Sequence, residues 1–451
     1  MISTNAFYPT RINTILRVAL ALLFFNACTT GTGSSDTVSE ADDSTSIYQP
    51  VHDSLPPPYA TKSVKNYSSV IGWPENVTPK APAGFVVTKF ADGLRNPRWL
   101  YVTSTGDILV AEANTESKGL KKVTEKISGK ADSQNLGESA NRITLLRDKD
   151  GDGVPELKQV LVDGLNQPLG MLEIANTLYV ANTDGILQFP YEAGQTQIRS
   201  EGKKILELPA GGYNNHWTRN IILSPDRKKI YIAVGSGSNV GEHGMENEVR
   251  RANILEVNLD GTGERIVAAG LRNPVGMAIC PGTTDLWTVV NERDELGDDL
   301  VPDYLVKVKD GGFYGWPYAY FGPNEDPRMK GQKPELVKST LVPDVALGSH
   351  TASLGLTFYA HQSFPAKYRG GAFIAQHGSW NRAELSGYKV LFIPFKNGKP
   401  SGPPEDFLSG FVHDIDKSEV YGRPVGLAVM ADGSLLVADD ASNTIWRVQP
   451  E

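Results

Sequence analysis

Cysteine is scarce in this chain of 451 residues, which contains only Cys28 and Cys280. Two cysteines provide neither a disulfide framework nor a cysteine-ligated metal site. Cys280 ends the apolar sequence Met277-Ala-Ile-Cys280. We therefore expect it to be a small buried hydrophobic residue.

Excess positive charge is also absent, since the formal net charge is −8 at pH 7. This balance argues against binding of nucleic acid or an anionic membrane through bulk charge.

Long apolar runs are missing as well. Arg11 and Arg17 precede the run Val18–Phe25, which is too short to span a bilayer and is typical of a signal-peptide core. Ala27 and Cys28 follow, and then a Thr/Gly/Ser-rich stretch, an arrangement similar to a bacterial lipoprotein cleavage site. We expect residues 1–27 to be a signal peptide and the protein to be exported, either periplasmic or anchored in the outer membrane through a lipid on Cys28. An ordinary signal peptide cleaved nearby is the alternative.

A sustained 3.6-residue hydrophobic period, typical of amphipathic helices, is not found. Residues 28–80 are rich in Ser, Thr, Asp, Gly and Pro, which predicts a flexible tether. From Gly84 onward, short β-branched and aromatic runs alternate with Gly, Asn, Asp and Pro. This pattern predicts an all-β domain over residues 81–451.

The runs form a repeat. A polar loop leads into an apolar strand, a turn and a second apolar strand, and the spacing between copies is roughly 50 to 80 residues. The six copies begin at Gly93, Gly164, His216, Gly270, Thr351 and Gly422. They predict a six-bladed β-propeller in which the loops before the innermost strands meet at the mouth of the channel. A strand near Gly84–Phe90 would close the ring against the C-terminal strand.

Several of these loops carry groups capable of chemistry. His216 lies on a Gly-rich loop before an apolar strand, where an imidazole suits a general base; a purely structural histidine is the alternative. Arg272-Asn273, Arg423 and the acidic loop Asn291–Asp299 belong to equivalent positions. Converging arginines suit a planar polycarboxylate or quinone, because guanidinium binds carboxylates in a bidentate manner. Salt bridges between blades are the alternative role for each arginine.

From Gly84 to Glu451 the chain resembles the soluble pyrroloquinoline quinone (PQQ)-dependent aldose sugar dehydrogenases, of the glucose/sorbosone dehydrogenase type. The segments that carry the resemblance are Asn215-His216, Arg272-Asn-Pro-Val-Gly-Met-Ala278, Gly312-Phe-Tyr-Gly-Trp-Pro317, Phe358-Tyr before Phe364-Pro, and Gly422-Arg423.

The resemblance implies a six-bladed propeller that holds PQQ beside a calcium ion. His216 would take the proton of the sugar C1 hydroxyl as hydride passes to the quinone C5 carbonyl, and Arg272 would stabilise the developing charge. Arg272 and Asn273 would contact the quinone oxygens, and Arg423 its carboxylates. Main-chain carbonyls near Arg293 and Asp294 would bind calcium, which prefers oxygen ligands.

The chain departs from the family pattern at several positions. It has Arg293-Asp294 in place of a Gly-Pro pair, Val275 in place of a glutamine and Val425 in place of a second arginine. It has His377-Gly-Ser-Trp-Asn381-Arg382 in place of a cofactor-binding lysine, and Asn381 or Arg382 would substitute for it. These features are more similar to the sorbosone-dehydrogenase-like branch.

A second candidate metal site is the sequence Asp148-Lys-Asp150-Gly-Asp152-Gly-Val-Pro-Glu156. Carboxylates at alternate positions followed by glycine are typical of a calcium loop, although Glu156 comes earlier than in an EF-hand. A solvated acidic turn is the alternative.

The resemblance therefore implies a quinoprotein oxidoreductase that oxidises an aldose or sorbosone-type sugar at C1. No Cys-x-x-Cys-His haem-attachment sequence is present, so electrons would pass to an external acceptor. Two alternatives stay open: a non-catalytic surface-binding propeller and a calcium-dependent lactonase.

Overall fold

The computed structural model describes residues 55–116 and 136–451, and the regular secondary structure of this part of the chain is almost entirely β-strand. The predicted signal peptide (1–27) and Cys28 lie outside the described residues, so export and lipid attachment stay predictions. Among the described residues, no helix has the length and apolar character needed to cross a membrane.

The first two strands of the described region pair with partners far along the chain. They are β1 (Ser69–Val70) and β2 (Phe85–Ala91).

Sheets 1 to 3 are each built from four consecutive antiparallel strands. Sheet 1 consists of β3 (Pro97–Val102), β4 (Ile108–Glu112), β5 (Arg142–Arg147) and β6 (Leu157–Val162). Sheet 2 consists of β7 (Met171–Ile174), β8 (Thr177–Asn182), β9 (Gly185–Pro190) and β10 (Lys203–Glu207). Sheet 3 consists of β11 (Arg219–Leu223), β12 (Lys229–Val234), β13 (Asn253–Asn258) and β14 (Arg265–Ala269).

Sheet 4 contains a long insertion before its last strand. Its first three strands are β15 (Pro274–Ile279), β16 (Leu286–Val290) and β17 (Pro302–Lys307). The insertion contains β18 (Gly312–Phe313), β19 (Ala319–Tyr320), β20 (Asn324–Glu325) and the short helix α1 (Pro334–Ser339). Strand β18 joins the edge of sheet 3, and β21 (Val345–Ser349) then completes sheet 4. One-turn 3₁₀ helices cover Met245–Glu248, Pro327–Met329 and Ala366–Tyr368.

Sheets 5 and 6 complete the series. Sheet 5 consists of β22 (Ser353–Phe358), β23 (Ala372–Gln376), β24 (Lys389–Ile393) and β27 (Glu405–Leu408). Between β24 and β27, strands β25 (Phe395–Lys396) and β26 (Lys399–Pro400) form a separate two-stranded hairpin. Strands β28 (Val412–Asp414) and β29 (Glu419–Val420) form a separate small sheet with β1. Sheet 6 consists of β30 (Pro424–Val429), β31 (Leu435–Asp439), β32 (Thr444–Pro450) and β2.

The two ends of the domain therefore share one sheet. Strand β2 pairs antiparallel with β32, with Val87 opposite Val448. The pairing predicted for the strand near Gly84 is observed, and it places the strand that precedes sheet 1 in the last sheet.

Each sheet buries both faces against its neighbours. The second strands of sheets 1, 4, 5 and 6 (β4, β16, β23 and β31) are buried at every position. Such continuous apolar strands are expected where both faces are covered. The hydrophobic clusters lie between successive sheets; for example, Val180 of sheet 2 and Ile232 of sheet 3 each occupy such an interface. Burying side chains of this size contributes about 1.5–3 kcal/mol each.

Residues 55–80, predicted to belong to the tether, differ from that expectation because they contact the sheets. The backbone N–H of Tyr59 donates to Leu296 O at 2.8 Å, and that of Asn66 donates to Trp380 O at 2.9 Å. The Trp73 indole donates to Asp439 Oδ2 at 2.8 Å and packs edge-on against Trp446. The polar composition of residues 55–80 gave no indication of these contacts with the sheets.

Candidate active site

A single cleft of about 320 Å³ receives side chains from loops and strands of all six sheets. It lies where the loops before the first strands of the sheets come together. Its lining residues include one in or shortly before the first strand of each sheet, in order Arg98, Leu169, His216, Arg272, His350 and Arg423. Sequence reasoning placed four predicted residues, His216, Arg272, Asn273 and Arg423, on such loops, and the structure brings all four to this cleft.

His216 is buried, and its hydrogen bonds define which ring nitrogen carries the proton. Nδ1 lies 2.8 Å from Ser236 O and 3.0 Å from Ser236 Oγ. A carbonyl oxygen only accepts, so Nδ1 donates. Burial, together with the positive charge of Arg272, lowers the pKa of the His216 imidazole well below its ordinary value. His216 is therefore a neutral imidazole with an unprotonated Nε2, as a general base requires.

A glycine permits this arrangement. A Cβ at Gly235 would lie 2.3 Å from Asn273 Oδ1 and 2.7 Å from the His216 Cβ. Only glycine allows the backbone after β12 to pass between these two side chains.

The Arg272 guanidinium is almost fully buried, and protein acceptors engage all five of its N–H groups. They are Glu292 O at 2.7 Å, Asn239 Oδ1 at 2.9 Å, Asn291 O at 3.2 Å, and Asn239 O and Asp294 Oδ2 at 3.4 Å each. Arg272 therefore contributes positive charge to the cleft, while its directional hydrogen bonds hold the acidic loop. The neighbouring Asn273 has the opposite character, because its buried Oδ1 has no hydrogen-bond partner among the described residues.

Asp294 and His350 form a second ionic group in the cleft. His350 Nδ1 lies 3.2 Å from Asp294 Oδ1, and its Nε2 lies 2.8 Å from Gly297 O. Both ring nitrogens face acceptors, an arrangement that favours the protonated form of His350. Burial alone would lower the pKa of His350, but the hydrogen bond to Asp294 outweighs it and the net shift is upward. Burial alone would raise the pKa of Asp294, but His350 and Arg272 hold it below its ordinary value.

This pair predicts a pH-dependent stability. The raised pKa of His350 means that its contribution is complete below about pH 6.5, its unfolded value, and is lost as pH rises through the folded value. The contribution of Asp294 is present above about pH 3.9 and is lost as pH falls through its lowered pKa. We expect His350→Gln to lower the unfolding free energy by about 2 kcal/mol between these limits, and by less in alkaline solution.

Urea unfolding of the wild type and of His350→Gln, from acidic to alkaline pH, measures the difference in unfolding free energy. An exposed-histidine variant, His413→Gln, is the control. A difference that grows above pH 7 would contradict the pairing.

A third group surrounds Arg423. Its Nε donates to His377 O at 2.8 Å, its Nη2 donates to Gly378 O at 2.9 Å, and it lies over the Tyr388 ring. His377 Nε2 lies 2.7 Å from Asp440 Oδ1, and Asp440 also pairs with Arg98. Burial and the charge of Arg423 lower the pKa of His377 to about 3, so this imidazole is neutral and donates from Nε2.

Two predicted cofactor-binding residues lie elsewhere. Asn381 is buried, accepts from Glu295 N at 2.9 Å and donates to Val64 O at 3.2 Å. Arg382 donates to Asp298 O at 2.8 Å and pairs with Asp299. Neither lines the cleft, whereas Trp380 beside them does. The residues of this segment that reach the cleft are His377, Gly378 and Trp380, whereas Asn381 and Arg382 bind neighbouring loops.

The side chains of Arg293 and Asp294, the segment predicted to bind calcium, lie in different places. The Arg293 side chain leaves the cleft and forms a buried ion pair with Asp326 at 2.8 Å. The Asp294 side chain lines the cleft. Its main-chain oxygen accepts from Asn239 Nδ2 at 3.2 Å, which leaves one carbonyl lone pair free for another partner.

The other acidic candidate lies on the surface turn between β5 and β6. Ligand atoms of Asp148, Asp150, Asp152 and Glu156 all lie within 4.8 Å of one another. Backbone N–H groups of Gly151 and Gly153 donate to Asp148 at 2.8 Å each. The turn is ordered by these bonds, and calcium binding there stays a prediction.

Sequence reasoning missed His350 and Asp440. Both lie next to segments of the repeat: His350 stands just before Thr351, and Asp440 follows the second strand of sheet 6. Their importance depends on partners more than 50 residues away, namely Asp294 and His377.

Comparison with known proteins identifies relatives along most of the chain. The model of the TrAA12-like family matches residues 79–303 and 331–451. An uncharacterized protein of Borreliella burgdorferi is 32% identical over 300 residues, which are 64% of this chain and 76% of that protein. The pyrroloquinoline quinone-dependent pyranose dehydrogenase of Coprinopsis cinerea is 22% identical over 430 residues, covering 81% of this chain and 54% of that protein. This chain therefore spans about half the length of that relative.

The fold is also found among solved structures. The holo PQQ domain of pyranose dehydrogenase from Coprinopsis cinerea superimposes with a TM-score of 0.66 at 19% identity, over 85% of this chain and 100% of that one.

Proposed function

The chain belongs to the TrAA12-like family, and we propose that it is a PQQ-dependent quinoprotein that oxidises an aldose or sorbosone-type sugar at C1. The observation that carries this proposal is the neutral, oriented imidazole of His216 in the same cleft as two buried guanidinium groups, Arg272 and Arg423. Relatives named for PQQ-dependent oxidation of pyranoses support the same chemistry.

We also propose that the six sheets are the blades of a closed six-bladed propeller. Pairing of β2 with β32 supports closure, because it places the first strand of the domain in the last sheet. Contacts between the first strands of successive sheets support a ring order, with β22 beside β30 and β30 beside β3.

The residues present fit an anionic planar cofactor. A cleft with buried cations on different sheets suits a ligand that carries several carboxylates. Trp380 and Trp217 line the same space and offer flat apolar surfaces. PQQ, when bound, would supply the hydride-accepting chemistry, and the protein would supply position and charge.

The proton of the sugar hydroxyl would pass to Nε2 of His216. Nε2 of His216 is unprotonated because Ser236 holds the proton on Nδ1. Transfer to Nε2 creates an imidazolium whose Nδ1–H already has two acceptors. Arg272 would stabilise negative charge that develops beside it through its field alone, since its N–H groups are engaged.

Calcium is the second proposed ligand of the cleft. The Oδ1 of Asn273, which has no hydrogen-bond partner among the residues that the structure describes, and the main-chain oxygens of the Arg293-Asp294 segment would hold it. The support is chemical, because a buried amide oxygen without a donor is matched by a hard cation.

Reconstitution tests the function. The purified protein, treated with chelator and then given PQQ and Ca²⁺, should reduce an artificial acceptor dye when an aldose panel is supplied. Omission of either addition should abolish the reaction. PQQ binding without turnover on any sugar would favour a non-catalytic binding propeller, and lactone hydrolysis without quinone would favour a calcium-dependent lactonase.

A further inference from the structure

Glu248 is a buried carboxylate that the reaction does not use directly. It lies at the end of the 3₁₀ helix Met245–Glu248 and is only 6% exposed. A buried carboxylate is costly unless hydrogen bonds satisfy it, so the partners of Glu248 indicate what it holds in place.

Both oxygens of Glu248 bind the turn that follows β12. Oε2 accepts from the Gly237 N–H at 2.7 Å, and Oε1 accepts from the Ser238 hydroxyl at 2.5 Å. Ser238 Oγ also accepts from the Gly241 N–H at 3.0 Å. The carboxylate therefore fixes both the backbone and a side chain of the turn.

The same turn carries the acceptors of His216. The Ser236 hydroxyl donates to Ser238 O at 2.6 Å, so its proton is committed and its lone pairs face His216 Nδ1. Ser236 O accepts from Nδ1 as well. The chain of contacts from Glu248 thus ends on the ring nitrogen opposite to the reactive one.

The hydrogen bonds that connect Glu248 to His216 do not form a proton relay. The Ser236 hydroxyl donates to a backbone carbonyl, which holds no proton to pass on. As arranged, the contacts behind His216 fix the orientation of the ring and provide no onward acceptor for a proton from Nδ1 beyond Ser236.

We propose that Glu248 is the positioning residue for the base: it holds the 236–238 turn so that His216 keeps its proton on Nδ1 and presents Nε2 to the substrate. This inference rests on the proposed function. Glutamine at this position would offer one acceptor and one donor in place of two acceptors. With its NH₂ group toward Gly237, glutamine would set two N–H donors against each other; with the NH₂ group toward Ser238, the amide would donate to Ser238 Oγ and the Ser238 proton would lose its acceptor. Either orientation removes one of the two hydrogen bonds that the carboxylate accepts from the turn.

The test is Glu248→Gln in the full-length protein, loaded with PQQ and Ca²⁺. We expect kcat on an aldose to fall about 10- to 100-fold, since misplacement of a catalytic group by about 1 Å has effects of this size. KM and PQQ affinity should change less than about twofold. The control is Glu246→Gln, which alters an exposed carboxylate in the same 3₁₀ helix as Glu248 and should leave kcat unchanged.

A second readout does not need turnover. Nitrogen NMR of protein labelled with ¹⁵N-histidine reports the tautomer, with the His216 signals assigned by their loss in His216→Ala. We expect a single Nδ1–H tautomer in the wild type and in Glu246→Gln, and a mixture in Glu248→Gln. If Glu248→Gln does not fold, Ser238→Ala removes one of the same hydrogen bonds and should produce the mixture.

The outcomes separate the two proposals. Wild-type protein that oxidises no sugar would reject the proposed function, while the tautomer spectra would still decide whether Glu248 positions His216. A single unchanged tautomer together with unchanged kcat in Glu248→Gln would overturn the positioning role.

Discussion

Replacement of His216 by alanine is expected to lower kcat on an aldose about 10³-fold, because a positioned general base contributes a factor of this order. The affinity for PQQ should stay within about threefold, since the imidazole supplies a proton acceptor and no positive charge. Its pKa is lowered by burial and by Arg272, so it stays neutral at pH 7. Steady-state kinetics with an acceptor dye measure the first quantity, and quinone titration of the apoprotein measures the second.

The control for this variant is His413→Ala, which removes an exposed imidazole bonded to Tyr421 Oη. It should leave both quantities unchanged. Retention of more than about a tenth of the wild-type kcat by His216→Ala would show that another group accepts the proton.

Replacement of Arg272 by methionine is expected to lower the unfolding free energy by about 3–5 kcal/mol, because removal of one member of a buried charge network leaves its partners uncompensated. Asp294 would lose one of its two cationic neighbours, and two carbonyl oxygens, of Asn291 and Glu292, would lose their donors. PQQ affinity should also fall, since one buried positive charge leaves the cleft.

Arg272→Lys separates charge from geometry. Lysine keeps the charge but has three donors in place of five. Compared with Arg272→Met, Arg272→Lys should restore most of the PQQ affinity but less of the unfolding free energy. Arg265→Met is the matched control, because Arg265 is 45% exposed and its pairs with Glu256 and Asp310 should contribute less than about 1 kcal/mol. Equal effects of the two methionine variants on stability would contradict the buried role of Arg272.

The distinct roles of the cleft histidines follow from their surroundings. His216 has a carbonyl on one side and the charge of Arg272 nearby, and is neutral. His350 has acceptors on both sides, and its pKa is raised. The surroundings therefore shift the pKa of the same side chain in opposite directions at two places in one cleft.

Much of the fold was determined by the sequence. Short apolar runs with polar loops at a regular spacing predicted the sheets, because a strand buried on both faces must be apolar at every position. The repeat also predicted that the loops containing His216, Arg272, Asn273 and Arg423 converge, since equivalent loops occupy equivalent places in each sheet.

Only the tertiary structure decided which neighbours of those residues face the cleft. Asn381 and Arg382 follow Trp380 in sequence, but they bind the loops at Val64 and Asp298, whereas Trp380 lines the cleft. Residues 55–80 have the composition of a tether, yet Trp73 is held by Asp439, 366 residues away. Composition and local spacing describe what a side chain can bind, but the partner it meets is set by chain segments brought together only on folding.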